Sequence, residues 1–157
     1  MTGRTGALLH GNISPPFPVK LPFKVKRGKM KHVLLVDDDP VWNLINKKNL
    51  EITGMVNDID VASNGRDALI LLEKYCLAED RVPDVILLDI NMPILNGFGF
   101  LEGFKKMQCK NKDRIKISIL SSSKNDKDLA KAKDLGASNY FVKPMDQAGF
   151  MSLLKEN

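Results

Sequence analysis

Val33-Leu34-Leu35-Val36-Asp37-Asp38-Asp39-Pro40 is the stretch on which the fold turns. Its apolar half carries no polar residue on either side of the pleat, as a strand buried on both faces requires. Asp39 followed by Pro40 reads as an N-cap and a first helical position. A buried strand therefore hands over directly to a helix, and acids crowd the turn between them.

The same punctuation repeats outward along the chain. Val41, Leu44, Ile45 and Ile52 give a helical apolar face, with Gly54 as its C-cap. A short, polar strand comes next over 57–62, and its polarity suits a sheet edge. Residues 64–78 read as the clearest helix, with Ala68, Leu71, Leu72, Tyr75 and Cys76 at helical spacing. Pro83 introduces a second fully apolar strand, Val85-Ile86-Leu87-Leu88. Residues 96–108 form a weaker helix, with Phe98, Phe100, Leu101 and Phe104 as core and with Gly99 and Gly103 each costing about 1 kcal/mol relative to Ala. A strand over 115–120, a charged helix over 126–135 closed by Gly136, a strand at Tyr140-Phe141-Val142 and a final short helix containing Gly149 complete the pattern. This is a (βα)5 alternation. It predicts an α/β, doubly wound, five-stranded parallel sheet with helices on both faces.

Charge and composition narrow the function. Residues 1–29 hold six basic groups and no acid; setting those aside leaves 18 basic against 19 acidic groups, a net of −1 for residues 30–157. The folded part thus carries no basic stripe for nucleic acid, and no apolar run approaches a membrane span of about 20 residues. The Pro- and Gly-containing segment 1–29 shows no helical or strand period and is expected to be a disordered tail, with Met30 as an alternative natural start and 30–157 as the domain. The cysteines Cys76 and Cys109, both in segments read as helical, are expected to form neither a disulfide framework nor a zinc site, which fits a reducing, cytoplasmic location.

The chemistry lies at the carboxyl end of each strand. The first ends in Asp37-Asp38-Asp39, the third in Asp89, the fourth in Ser121-Ser122-Ser123 and the fifth in Lys143-Pro144. With strand order 2-1-3-4-5, these ends are neighbours on one rim, where open α/β sheets bind ligands. Carboxylates so close disfavour joint ionisation unless a cation neutralises them. Oxygen ligands of this kind suit Mg2+, and a metal beside an aspartate favours phosphoryl transfer onto it. Asp39 is expected to be an N-cap only, Ser122 and Ser123 to cap a loop or tune the site, and Trp42 to be a docking anchor or a partly packed residue. His10 and His32 carry no assignment.

Four segments, 33–39, 87–93 with Asn96-Gly97, 119–122 and 136–144, stand in the order and spacing of the receiver domain of bacterial two-component response regulators. The chain resembles that family over residues 31–157. The resemblance implies a flavodoxin-like receiver fold, with Asp89 as phosphoacceptor. It also implies Asp38 as the direct metal ligand, Asp37 assisting, and Asn91 lending its backbone carbonyl to Mg2+. Ser121 matches a switch hydroxyl, Tyr140 the aromatic coupled to it, and Lys143 a lysine that contacts the phosphoryl group; ordinary strand packing of Tyr140 is an equal alternative. The Lys143–Pro144 bond is expected to be cis.

The implied partners are a histidine kinase or a histidine phosphotransfer protein, and a downstream protein on the face built from the fourth helix, fifth strand and fifth helix. A phosphorylation-dependent homodimer is left open, and neither nucleic acid nor membrane is implied. Only residues 145–157 come after Pro144, so a stand-alone receiver without an output domain is expected. Such a protein promotes its own phosphorylation and dephosphorylation and is otherwise not an enzyme. Two alternatives stand beside it: a Mg2+-dependent phosphohydrolase, and a phosphorylation-independent scaffold of the same fold.

Overall fold

The computed structural model describes residues 28–78 and 81–155. The tail expected over 1–29 lies almost wholly outside them. Strands β1 (Lys31–Val36), β2 (Val56–Ala62), β3 (Val85–Leu88), β4 (Lys116–Ser121) and β5 (Asn139–Val142) alternate with helices α1 (Pro40–Ile52), α2 (Gly65–Leu77), α3 (Gly97–Lys106), α4 (Asp126–Asp134) and α5 (Gln147–Lys155). One 3-10 turn, Lys112–Arg114, precedes β4. The strands form one parallel sheet in the order β2-β1-β3-β4-β5, as the sequence predicted.

Strand parity divides the core. Leu34, Val36, Ile86, Leu88, Ile117 and Ile119 face Ala68 and Leu72 of α2, Phe100 and Leu101 of α3, and Ala132 of α4. The alternate residues Val33, Leu35, Val85, Leu87 and Leu120 face Leu50 of α1 and Phe150, Leu153 and Leu154 of α5. β1 and β3 are therefore apolar on both parities because both sheet faces are covered. β2 holds the edge, which is why its polar residues are tolerated.

Helix termini obey local chemistry. The Asp39 carboxylate accepts from the Val41 and Trp42 amides at 2.8 and 3.4 Å, and Pro40 lacks the N–H that the first turn would leave unpaired. Asn64 and Asn96 cap α2 and α3 in the same way. Gly54 and Gly136 adopt positive φ just past α1 and α4. Gly103 has a packing reason: a Cβ there would stand 2.6 Å from Leu69 of α2.

Two findings depart from the sequence reading. First, the apolar face of α1 points outward: Val41, Leu44, Ile45 and Ile52 are all exposed, whereas Asn46 and Leu50 are buried. Spacing identifies a face without saying which side of the helix meets the sheet. Second, Cys76 and Cys109 are joined in a disulfide with Cα atoms 5.3 Å apart. Cys109 lies past the end of α3, in a loop that the packing of α2 on α3 carries to the end of α2. A separation of 33 residues gave no sign of this meeting.

Candidate functional site

The carboxyl ends of β1, β3, β4 and β5 meet on one rim, tied by backbone bonds beyond the strands. The Asp89 amide donates to the Val36 carbonyl at 2.9 Å, and the Lys143 amide donates to the Ser121 carbonyl at 2.9 Å. These bonds carry the side chains of Asp37, Asp89, Ser121 and Lys143 to one place. One oxygen each from Asp37, Asp38 and Asp89 lies within 4.8 Å of the others. Asp37 and Asp89 are buried, and Asp38 is exposed at the mouth.

The Lys143 ammonium donates to Asp37 at 2.5 Å and stands 3.6 Å from Asp89. Its side chain is only 5% exposed, so the charge is held in place and not left waving in solvent. The peptide bond from Lys143 to Pro144 is cis. Asp37 also accepts from the Asp39 amide at 2.9 Å, and its own carbonyl accepts from the Asn43 side chain at 2.8 Å. Asp89 accepts from the Ile90 amide at 2.8 Å and from the buried Ser121 hydroxyl.

Burial pushes the Asp89 carboxyl above its ordinary range. The Lys143 charge opposes that, the Asp37 carboxylate reinforces it, and the hydrogen bonds from Ile90 and Ser121 offset it only in part. A buried acid facing a second acid is thus left short of positive charge. Oxygen donors, a partly open mouth and that deficit fit a small hard cation.

The remaining sequence candidates divide. Asn91 is exposed in the loop after Asp89. Tyr140 is half-buried on β5, and its hydroxyl donates to the Ser123 carbonyl at 2.9 Å, so it is anchored to the loop just beyond Ser121. The Ser123 hydroxyl donates to Asp128 at 2.7 Å and accepts from the Asn125 amide, which makes it a loop and helix-start group. Ser122 is exposed. Of the two readings of Trp42, the partly packed one holds: it is half-buried, and its ring lies 5.2 Å from the Lys143 ammonium, in cation–π range.

Sequence reasoning passed over Trp42 and Asn43 as site residues. Both sit in the first turn of a helix that starts at the rim, and that position was the available signal. It also gave no role to Ile94, whose φ of 69° is unusual for a β-branched residue, in the loop after Asp89. For Gly97 the motif alone gives no physical reason, and packing supplies one. A Cβ there would lie 2.5 Å from the Asp89 carbonyl oxygen, so only glycine lets α3 start this close to the rim.

The family model described as the response regulator receiver domain matches residues 33–155. The chain belongs to that family. Among solved structures, this receiver domain is similar to a two component response regulator from Cytophaga hutchinsonii, at TM-score 0.73 and 32% identity over 80% of this chain and 95% of that one. It is also similar to the Vibrio cholerae chemotaxis protein CheY4, at TM-score 0.65 and 26% identity over 80% and 96% of the two chains. Among curated proteins it is 29% identical over 124 residues to the nitrate/nitrite response regulator protein NarL of Escherichia coli K12, spanning 79% of this chain and 53% of that protein. It is 37% identical over 114 residues to a protein-glutamate methylesterase/protein-glutamine glutaminase of Treponema denticola, spanning 71% of this chain and 28% of that protein. The receiver domain thus covers about half of the first relative and less of the second. No described helix is long and apolar enough to cross a membrane.

Proposed function

We propose that this receiver domain accepts a phosphoryl group on Asp89 from a phosphohistidine of a histidine kinase or histidine phosphotransfer protein and switches partner binding as a result. The observation that carries this reading is the packing of three carboxylates within 4.8 Å of one another beside the buried Lys143 ammonium. A structural ion pair needs one acid; three acids around one amine leave negative charge that either a proton or a further cation must neutralise, and a bound cation does so without protonating the acceptor.

Mg2+ is the proposed cofactor, held by Asp37, Asp38, Asp89 and the backbone carbonyl of Asn91, and when bound it offsets charge on the transferring oxygens. An Asp89 oxygen attacks phosphorus; the new O–P bond forms as the donor's N–P bond breaks. Lys143, already between Asp37 and Asp89, moves toward the new phosphoryl oxygens. Ser121, which hydrogen bonds to Asp89, turns its hydroxyl to a phosphoryl oxygen. That displacement passes along the 121–123 loop, where the Tyr140 hydroxyl is anchored. The added charge of about −1.5 to −2 thereby shifts the population of the α4-β5-α5 face toward a form that binds a downstream protein. The proposed setting is the cytoplasm, although the Cys76–Cys109 disulfide removes the cysteines as a ground for it. Catalysis is confined to the domain's own phosphorylation and dephosphorylation.

Incubation with acetyl phosphate and Mg2+, read by intact mass, tests the proposal. The expected product carries one phosphoryl group, and none appears with Asp89→Asn or after metal chelation. Label that survives either change would refute the mechanism.

A further inference from the structure

Helix α2 turns Ala68 and Leu72, both fully buried, toward the sheet. Its opposite side meets solvent, with Ile70 47% and Leu77 80% exposed. Beside that side, α2 and α3 leave a groove of about 370 Å3. Its apolar lining is Leu69, Ile70, Leu95 and Met107, and Arg66, Glu73 and Lys106 border it. Gly103 lets the two helices approach, and the Cys76–Cys109 disulfide ties the end of α2 to the chain leaving α3, so the width of the groove is held.

The charges on this face are patterned. Seven residues advance a helix by about 700°, which is two turns less about 20°. Arg66 and Glu73 therefore share one line along α2, and Asp67 and Lys74 share another, with Ile70 between the two lines. All four charged residues are exposed. The members of each pair stand about 10.5 Å apart along the axis, too far to meet within one helix. Among the described residues none of the four makes an ion pair, and Asp67 accepts from the Asn64 side chain at 2.7 Å.

A second copy of the same helix, laid antiparallel, supplies what this face lacks. With a two-fold axis at Ile70, Arg66 lies about 6 Å to one side along the helix and Glu73 about 4.5 Å to the other. The axis therefore brings the partner's Glu73 to within about 1.5 Å of the level of Arg66, on the same flank. On the other flank Asp67 and the partner's Lys74 meet with the same small offset. Every charge of the four then faces its opposite, and Ile70, at the lip of the groove, is covered by its own image. One patch serves both subunits, as an isologous pair requires. A charge set complementary to its own two-fold image points to a copy of this chain as the occupant. A patch on one helix of 13 residues falls at the low end of specific interfaces, under roughly 1,200 Å2 in total, so the pairing is weak and reversible.

We infer that the exposed face of α2 is a pairing surface for a second copy of this chain, joined antiparallel about Ile70 with Arg66 on the partner's Glu73 and Asp67 on the partner's Lys74. The surface is separate from the α4-β5-α5 face and needs no phosphoryl group, so the inference stands or falls apart from the phosphoryl-transfer reading.

Sedimentation equilibrium of the full chain, in chelator and without phosphodonor, tests it. The unsubstituted chain is expected to pass reversibly from monomer to dimer as its concentration rises. Arg66→Glu and Glu73→Arg each set like charges across the axis twice, and each should weaken pairing more than about tenfold. Mixing these two variants restores opposite charges at both contacts, so the mixture should pair where neither variant does alone. Ile52→Asp, at the exposed foot of α1, should change nothing. Both reversals lie on the surface, and circular dichroism checks that the variants fold. A chain that stays monomeric up to millimolar concentration would overturn the inference. So would a dimer that both reversals leave intact or that Ile52→Asp abolishes, either of which marks another face, or a mixture of the folded variants that does not pair.

Discussion

Two acids in this domain, one buried and one half-buried, meet opposite fates. At the rim, Asp89 faces another carboxylate, and its carboxyl is pushed up by burial that Lys143 only partly relieves. Along the edge of the sheet, Asp60 of β2 is also partly buried, which alone would raise its carboxyl. There the Tyr75 hydroxyl at 2.5 Å, the His32 ring nitrogen at 2.6 Å and attraction to His32 outweigh burial and pull it below 3.8. In the His32–Asp60–Tyr75 cluster the Asp60 carboxylate meets a partner from each neighbour, and the cluster is structural. The rim holds more acceptors than it can satisfy, and a site poised to take a cation and a phosphoryl group has that imbalance.

Substitutions should separate the two regions, beginning with the largest effect. Asp89→Asn is expected to abolish phosphoryl incorporation and also to stabilise the metal-free fold. The folded state holds the Asp89 proton more tightly than the unfolded chain does. Its contribution is therefore present at low pH and is lost as pH rises from 3.8 through the folded value. Urea titrations of both proteins in chelator should show an advantage for the variant at neutral pH that disappears in acid.

The disulfide joins Cys76, the neighbour of Tyr75, to Cys109 across 33 residues. Cys76→Ser is expected to lower stability by about 3–4 kcal/mol on loop-entropy grounds, without loss of phosphoryl incorporation. Reductant should have the same effect on the unsubstituted protein and none on the variant; denaturant melts with and without reductant compare them directly. Tyr75→Phe should cost about 1–1.5 kcal/mol at neutral pH. Here the sign is reversed: Asp60 has a lowered folded value, so its contribution is present above 3.8 and is lost as pH falls through that lower value. The penalty should therefore fade in acid, and a penalty constant with pH would mean that the Tyr75 hydroxyl acts through something other than the ionised Asp60 carboxylate. Smallest of all, Ile94→Gly should raise the thermal midpoint, by the equivalent of roughly 0.5–1 kcal/mol, through relief of a left-handed backbone at the rim.

The sheet and its rim were legible because they rest on local signals. Apolar runs name the buried strands, and an acid, a hydroxyl or a lysine directly after a strand lands on the rim whatever the helices do. What sequence could not supply depends on which side of each helix meets the sheet. The spacing of Val41, Leu44, Ile45 and Ile52 is plain, but the packing of Leu50 decides that this stripe faces solvent. His32, Asp60 and Tyr75 come together only through the pairing of β1 with β2 and the seating of α2, and Cys76 meets Cys109 only through the packing of α2 on α3. Trp42 was readable as rim-proximal but not as a lid on Lys143.

Trp42 also supplies the most direct test of the rim. It is the only tryptophan, and its ring lies 5.2 Å from the ammonium that holds Asp37. A cation bound by Asp37, Asp38 and Asp89 must loosen that ammonium and change the indole emission. Titration with Mg2+ should give a saturable fluorescence change in the unsubstituted protein and none in Asp38→Asn or Asp89→Asn. An emission that ignores Mg2+, or responds equally in all three proteins, would contradict a divalent-cation site on this rim.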